Sequence, residues 1–422
     1  MADRREPDAA HYDIVIAGGG LCGASLACAL VGSKKRVLVV EPVEIESDLQ
    51  PTWDERTVAL TYCSRNVFSA LGVWERIERN GAQPILDIHV SSRGGFGQTH
   101  LSCNDAGTEA LGYVVPVREL GAVLWETIRQ SPEIELECPG SVVDADMEEE
   151  CCRIGIDRPG GRIAVTAGLL VVADGGRSDL AGTLGIPVRE EPYDQSAVLC
   201  IVGADRPHCG RAYERFTPNG PLALLPHRID GGSPAAEACH FALVWTTRDS
   251  DLEERMSLDD AGFVDALQSA FGGRAGNFSG PSERKSYPLT RFRVDSPASG
   301  RAVLLGNAAH TVHPVAGQGF NLGLRDVACL AELICESGFA PGSEEMAREY
   351  IRLRRRDAWM VESFTHSLIR VFSSPVGPVS AARNAGLVAI EHFPPAKRLL
   401  LRQTMGLEAT PFKLTSGIPI GS

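Results

Sequence analysis

The chain has 422 residues and 44% hydrophobic content, enough to bury a sizeable core in two domains with an appended tail. Its formal net charge of −13 argues against nucleic acid as a partner. Twelve cysteines contain no Cys-x-x-Cys, and several, such as Cys28, Cys200 and Cys329, lie in apolar runs. They read as small buried hydrophobes in a reducing compartment, not as a disulfide framework.

The first residues, Met-Ala-Asp-Arg-Arg-Glu-Pro-Asp, mix charges without an apolar run, so no secretory signal is expected. Tyr12-Asp-Ile-Val-Ile-Ala17 then reads as a strand, and Gly18-Gly-Gly20-Leu-Cys-Gly23 follows it directly. A helix pattern continues to Val31. This is the dinucleotide fingerprint: Gly18 makes the tight turn, Gly20 lets the backbone approach a pyrophosphate, and Gly23 packs helix on strand. The apolar stretch 14–31 is long enough to tempt a membrane-span reading, but its glycines fit strand, turn and helix better. Arg36-Val-Leu-Val-Val-Glu41 supplies the expected second strand, with Glu41 about 20 residues on as the ribose-binding acid. The motif alone does not separate FAD from NAD.

Thr52-x-x-Glu55 has the form of a helix capping box, which would make Arg56 a surface charge. Leu169-Leu-Val-Val-Ala-Asp174-Gly-Gly-Arg-Ser178 is an apolar strand ending in Asp-Gly. Between 191 and 283 the alternation of Ala197-Val-Leu-Cys-Ile-Val202 and Cys239-His-Phe-Ala-Leu-Val-Trp245 predicts a mixed sheet. Pro221-Leu-Ala-Leu-Leu-Pro226 reads as core strand or as pocket wall.

The most informative stretch is 302–326. Ala302-Val-Leu-Leu305 is a buried strand, Gly306 ends it, and the residues after Gly319 have helical spacing. A Gly317-Gln318-Gly319 turn at a helix start brings backbone N–H groups and the positive helix end to an anion. His310 and His313 stand three apart, but no third ligand joins them at metal spacing, so no metal is expected. Beyond 344 the pattern is helical, with Met346, Tyr350, Leu353, Val361, Phe364 and Leu368 on one face. Between Arg352 and Arg402, nine Lys or Arg stand against Asp357, Glu362 and Glu391. Two readings stand for this local excess: a solvated face, or contact with anionic lipid through Val388, Ile390, Phe393 and Leu399-Leu-Leu401.

Together the three glycine-punctuated segments resemble the flavin-dependent aromatic hydroxylases. Trp53-Asp-Glu-Arg-Thr-Val-Ala-Leu60, Glu191-Pro-Tyr-Asp-Gln195, Arg211-Ala-Tyr-Glu-Arg-Phe-Thr217, Gly220-Pro-Leu-Ala-Leu-Leu-Pro226, Ser269-Ala-Phe-Gly272 and Gly317-Gln-Gly-Phe-Asn-Leu-Gly-Leu-Arg-Asp326 narrow that resemblance to the ubiquinone-biosynthesis branch, over nearly the full length. The resemblance implies an α/β fold: a discontinuous Rossmann-like FAD-binding domain (10–85, 105–190 and 284–343), a mixed β-sheet substrate domain (86–104 and 191–283) and a C-terminal helical region (344–422).

It implies FAD as cofactor, with Gly18, Gly20, Leu21, Cys22, Gly23 and Glu41 on the ADP half. Arg56 and Arg118 of Pro116-Val-Arg-Glu-Leu120 would lie on the phosphate or ribityl side, where the guanidinium fork suits them. Asp174 and Gly175 would be shared with NAD(P)H as electron donor. Gly306, Asn307, His313, Pro314, Gly317, Gln318, Gly319 and Asn321 would surround the rest of the flavin, with His313, Pro314 and Gly317 as the positioning loop. Phe216, Leu224 and Pro226 are the expected substrate contacts. Two departures stand out: Asn307 replaces the family's acid, and Ala181 stands where an arginine often follows the Asp-Gly segment.

The implied reaction hydroxylates a polyprenylated phenol, 2-polyprenyl-6-methoxyphenol, para to its hydroxyl with O2 through a hydroperoxyflavin. No residue is identified as the base that removes the phenolic proton. Alternatives are a sister hydroxylase for another ring position, a flavin dehydrogenase or prenyl reductase, and a non-catalytic prenyl carrier. A cytoplasmic protein touching the inner membrane face peripherally, within a ubiquinone-biosynthesis complex or a homo-oligomer, is the expected setting.

Overall fold

The computed structural model describes residues 10–44, 56–176, 179–229, 238–373 and 377–421. The expected capping pair at 52 and 55 and the pair 177–178 lie outside them.

Continuous apolar runs build the first sheet. Ala10–Ala17 lies at its centre, parallel to Val37–Val40 on one side and Gly161–Val172 on the other. Ile134–Glu137 and Ala302–Leu304 extend it in parallel at the two flanks. Strands buried on both faces need apolar residues at every position. Ile14, Ile16, Val37, Val39, Leu169 and Val171 therefore pack with the helices Leu21–Ala29, Val117–Arg129 and Gln318–Glu336. Val15, Ala17, Leu38, Val40, Leu170 and Val172 face the other way, onto Cys152 and Ile154. A small sheet of Thr57–Thr61, Gly112–Pro116 and Gln83–Ile85 stands beside this domain.

The second sheet has eight strands. Its path runs Phe278–Ser279, Val188–Ala204, His240–Arg248, Gly220–His227, Arg211–Thr217, Asp87–Ser92, Gln98–Ser102, and Lys285–Val294 pairs with Val188–Ala204. One face, with Leu222, Leu224, Phe241, Leu243 and Trp245, packs on Phe263 and Leu267 of the helix Asp260–Phe271. Residues 285–294, beyond the expected boundary at 284, pair with Val188–Ala204 in the second sheet, and that strand starts at Val188, ahead of the expected 191.

Past 344 the chain forms the helices Glu344–Ser373, Gly377–His392 and Pro394–Thr404. Met346, Tyr350 and Val361 of the first are buried, following the helical spacing. That helix is tied to the glycine-rich third segment by buried ion pairs. Arg354 Nε lies 2.6 Å from Asp326 Oδ1, Arg354 Nη1 2.5 Å from Asp357 Oδ2, Arg325 Nε 3.1 Å from Asp357, and His310 Nε2 2.7 Å from Asp326 Oδ2. Burial alone would raise the Asp326 pKa, but the attraction of His310 and Arg354 outweighs it and holds the carboxyl at about 2. Asp326 also accepts from Gly306 N, so the cluster fixes the turn that ends the Ala302–Leu304 strand. Among the described residues no helix is long and apolar enough to cross a membrane.

Candidate functional site

One cavity of about 1460 Å³ begins at the glycine segments and runs beneath the second sheet to the C-terminal helices. Pockets for single drug-sized ligands measure about 300–1,000 Å³, so this one has room for more than one such group.

At one end the first motif forms a cradle. Gly18 has φ +107°, and a methyl group there would lie 2.6 Å from the Ala173 carbonyl oxygen. A methyl group on Gly23 would lie 2.0 Å from Gly18 O, so only glycine lets the helix sit this close to the turn. Gly20 differs. It is extended (φ −60°, ψ 178°), it lines the cavity, and nothing lies within 4 Å of a Cβ placed on it. The space a pyrophosphate needs is therefore open at Gly20, at the N-terminus of the helix Leu21–Ala29. Glu41 is buried at the cavity edge, where one carboxylate oxygen accepts from Gly19 N at 2.7 Å and the other from Val43 N at 3.0 Å. Asp174 and Gly175 line the same end, and Asp174 Oδ1 accepts from Gly176 N.

Cys22 joins the first and third motifs. Its sulfur fills the space beside two glycines: a methyl group on Gly306 would come within 2.7 Å of it, and one on Gly323 within 2.6 Å. Burial pushes the thiol up to about 12, so it stays neutral and unreactive and serves as a packing group. Asn307, Pro314, Gly317 and Gly319 line the cavity, with Gly319 in the first turn of the helix Gln318–Glu336. Arg56 also lines it, its guanidinium 5.0 Å from the ring of Tyr287 on the opposite sheet. Backbone amides at two helix starts and an arginine as donors, with a buried carboxylate as acceptor, are what a flavin dinucleotide requires, so these residues fit FAD.

Other expected residues lie elsewhere. Arg118 is exposed in the first turn of its helix, and only its neighbour Val117 reaches the cavity wall. Asn321 is 2% exposed and clamps the scaffold. It donates to the Ala59 and Gly317 carbonyls and accepts from Thr61 N and Ser64 Oγ. Gln318 is buried behind the wall. His313 is 1% exposed, edge-on to Tyr193 at 5.1 Å, and its Nδ1 accepts from Val315 N. Burial brings it down to about 4, so it is neutral at physiological pH. His310 turns to Asp326 instead, and among the described residues no three His, Cys, Asp or Glu side chains converge as metal ligands.

The roof is the inner face of the second sheet. Phe216 lines it, but Leu224 and Pro226 do not; Ala223 and Leu225 take their place. The reason is strand parity. Leu224 belongs to the core on Asp260–Phe271, so the odd-numbered residues of Gly220–His227 face the cavity. Alternation in the sequence showed a two-faced strand without showing which face was which. The far wall comes from Phe364, Leu368, Phe372, Arg383, Leu387 and Ile390 of the C-terminal helices, and was not anticipated as cavity lining.

Four of the nine basic residues of this tail are engaged in ion pairs. Arg354 is buried in the ion cluster, Arg352 pairs with Glu349, Lys397 with Asp105 and Glu391, and Arg402 with Glu408. Phe393 and Leu399 are about 60% exposed nearby.

A family model described as an FAD binding domain matches residues 11–365. The chain is 34% identical over 417 residues to the ubiquinone hydroxylase UbiL of Rhodospirillum rubrum, covering 97% of this chain and 93% of that protein. It is 29% identical over 403 residues to the 3-demethoxyubiquinol 3-hydroxylase of Escherichia coli, covering 94% and 98%. Among solved structures, p-nitrophenol 4-monooxygenase PnpA from Pseudomonas putida matches with a TM-score of 0.76 at 18% identity, over 96% of this chain and 100% of that one.

Proposed function

The chain belongs to the FAD-binding-domain family, in the ubiquinone-biosynthesis branch of the flavin-dependent aromatic hydroxylases, and from that premise we propose that it hydroxylates 2-polyprenyl-6-methoxyphenol para to the hydroxyl, giving the 1,4-benzoquinol. It is an FAD-dependent monooxygenase of ubiquinone synthesis that draws electrons from NAD(P)H. The observation that carries the substrate reading is the single cavity that joins the glycine cradle to a long apolar wall.

Bound FAD supplies the activation of O2. The chain's own residues do the rest. Gly18, Gly20 and Gly23 shape the backbone around the pyrophosphate, and Glu41 meets the ribose. The Pro314–Gly319 loop and Arg56 with Tyr287 hold the flavin's other half. The roof residues Phe216, Ala223 and Leu225 exclude water and pin the ring, while Leu368, Phe372, Leu387 and Ile390 receive the start of an isoprenoid chain. At about 25 cal/mol per Å², apolar contact of this kind binds a prenyl tail strongly without specifying its length. Phe393 and Leu399, beside Arg398, form the surface on which the protein meets an anionic membrane to collect so apolar a substrate.

The test is ring position. FAD-loaded protein is incubated with NAD(P)H and 2-polyprenyl-6-methoxyphenol, and the product is assigned by NMR. A para hydroquinone supports the reading. A hydroxyl elsewhere on the ring favours the sister assignment, for which the name of the Escherichia coli relative speaks. A reduced prenyl chain without new oxygen favours the reductase.

A further inference from the structure

One carboxylate interrupts the apolar sheet face over the cavity. Three carboxylates line the cavity among the described residues: Glu41 and Asp174 stand at the glycine cradle, and Glu214 stands on the roof. Glu214 lies in the strand Arg211–Thr217, in register with Val90 on one side and Ala223 on the other, and both neighbours are cavity residues. Its side chain is half-buried. Arg215 turns to the opposite face, onto Ser91 Oγ and the Ala270 carbonyl. Parity therefore puts Ala212, Glu214 and Phe216 together over the cavity.

Phe216 fixes how far Glu214 is from the chemistry. It packs against Val315, the residue after Pro314 in the loop that flanks the flavin site, and stacks on Phe372 at 3.6 Å. Glu214 is two residues further along the same face, about 7 Å away at the strand repeat. A ring lying in the cavity against Phe216 and that loop has Glu214 within reach of its substituents. The other ionisable side chains on the wall are Cys22, Arg56 and Tyr287 toward the cradle, Tyr213 on the same strand and Arg383 on the helix Gly377–His392.

We propose that Glu214 accepts the hydrogen bond of the substrate's phenolic hydroxyl and takes its proton as the ring is oxygenated; this rests on the phenol-hydroxylase reading above. The phenolic O–H bond breaks, its electron pair stays on the phenolate oxygen and feeds the para carbon, and the proton forms an O–H bond with the Glu214 carboxylate. The para carbon bonds one atom of O2 as the O–O bond breaks; when aromaticity returns, the C–H bond of that carbon breaks, its electron pair rejoins the ring and its proton leaves in the water formed from the second oxygen atom, while Glu214 hands its own proton back to the phenolic oxygen. A charged acceptor forms a stronger bond than a neutral one and so selects for a free hydroxyl.

The test uses three variants of the FAD-loaded enzyme. Glu214→Gln lowers kcat about 100-fold at pH 7, in the range general-base catalysis supplies, with KM changed only a few-fold. That deficit shrinks as the pH approaches about 10, where phenols ionise unaided. Glu214→Asp keeps more activity than Glu214→Gln. Binding gives a readout independent of turnover: by calorimetry, wild type binds the phenol at least about tenfold more tightly than its methyl ether, and Glu214→Leu loses that preference while binding the ether as wild type does. A pH-independent deficit, or an unchanged phenol preference in Glu214→Leu, overturns the proposal. A wild-type enzyme that prefers the phenol but never oxygenates it overturns the hydroxylase reading instead.

Discussion

At Gly18 and Gly23 of the cradle a single methyl group has nowhere to go, whereas at the roof, across the same cavity, side chains stand over open space. A Cβ on Gly23 would come 2.0 Å from a backbone oxygen, and one on Gly18 would meet the Ala173 carbonyl. Ala223 and Leu225 are only half-buried. The cofactor end is specified by backbone packing, which tolerates one residue type. The substrate end is specified by which face of a strand a residue occupies, and many apolar residues satisfy it.

The largest expected effect breaks the cradle. Gly23→Ala forces helix and turn apart, so the protein should accumulate insoluble or flavin-free, checked by bound FAD per chain after purification. Next is the ion cluster beneath the third motif. Arg354→Met leaves Asp326 and Asp357 buried without their shared cation, and about 3–5 kcal/mol of stability should be lost in urea unfolding. On the roof the two faces should separate cleanly. Leu224→Ala opens a cavity in the core and costs about 2–5 kcal/mol without changing KM. Leu225→Ala costs less stability and raises KM for the prenylated phenol.

A pH effect follows from His313. Its folded pKa is depressed from 6.5 to about 4, so its neutral form is the one the fold keeps. The associated stability, up to about 3 kcal/mol, is fully present above pH 6.5 and is lost as pH falls toward 4. His89, also held near 4 by burial and by His100 and Arg274, adds a second such contribution. His313→Leu should flatten the thermal-stability profile in that window by its own share and leave the share of His89. The smallest stability effect belongs to Gly20→Ala: the flavin-free protein should melt as wild type does, because nothing lies near the added methyl. FAD affinity should nevertheless fall at least about tenfold, equivalent to about 1.4 kcal/mol.

This contrast also explains what the sequence could reveal. The strands 10–17 and 37–40, the turn at Gly18 and the helix after Gly317 were legible because backbone conformation and continuous burial restrict residue type to a narrow set. Leu224 and Pro226 were placed on the wrong face because alternation carries no sign. Asn321 sits in the glycine-rich third segment, yet its bonding capacity goes to strand and helix backbone, a partnership set largely by residues some 260 positions away. Arg354, Lys397 and Arg402 contributed to a local positive excess because their further partners Asp326, Asp105 and Glu408 lie outside the stretch counted. Glu214 was written plainly in Arg-Ala-Tyr-Glu-Arg-Phe-Thr, but only the cavity below Ala212 and Phe216 distinguishes it from a surface acid.

The most direct measurement is oxygen transfer. FAD-loaded protein, NAD(P)H and 2-polyprenyl-6-methoxyphenol are incubated under isotopically heavy O2, and product and peroxide are both analysed by mass. A product carrying one heavy oxygen atom per NAD(P)H consumed is the predicted result. NAD(P)H consumption that yields heavy peroxide and an unchanged phenol would contradict it.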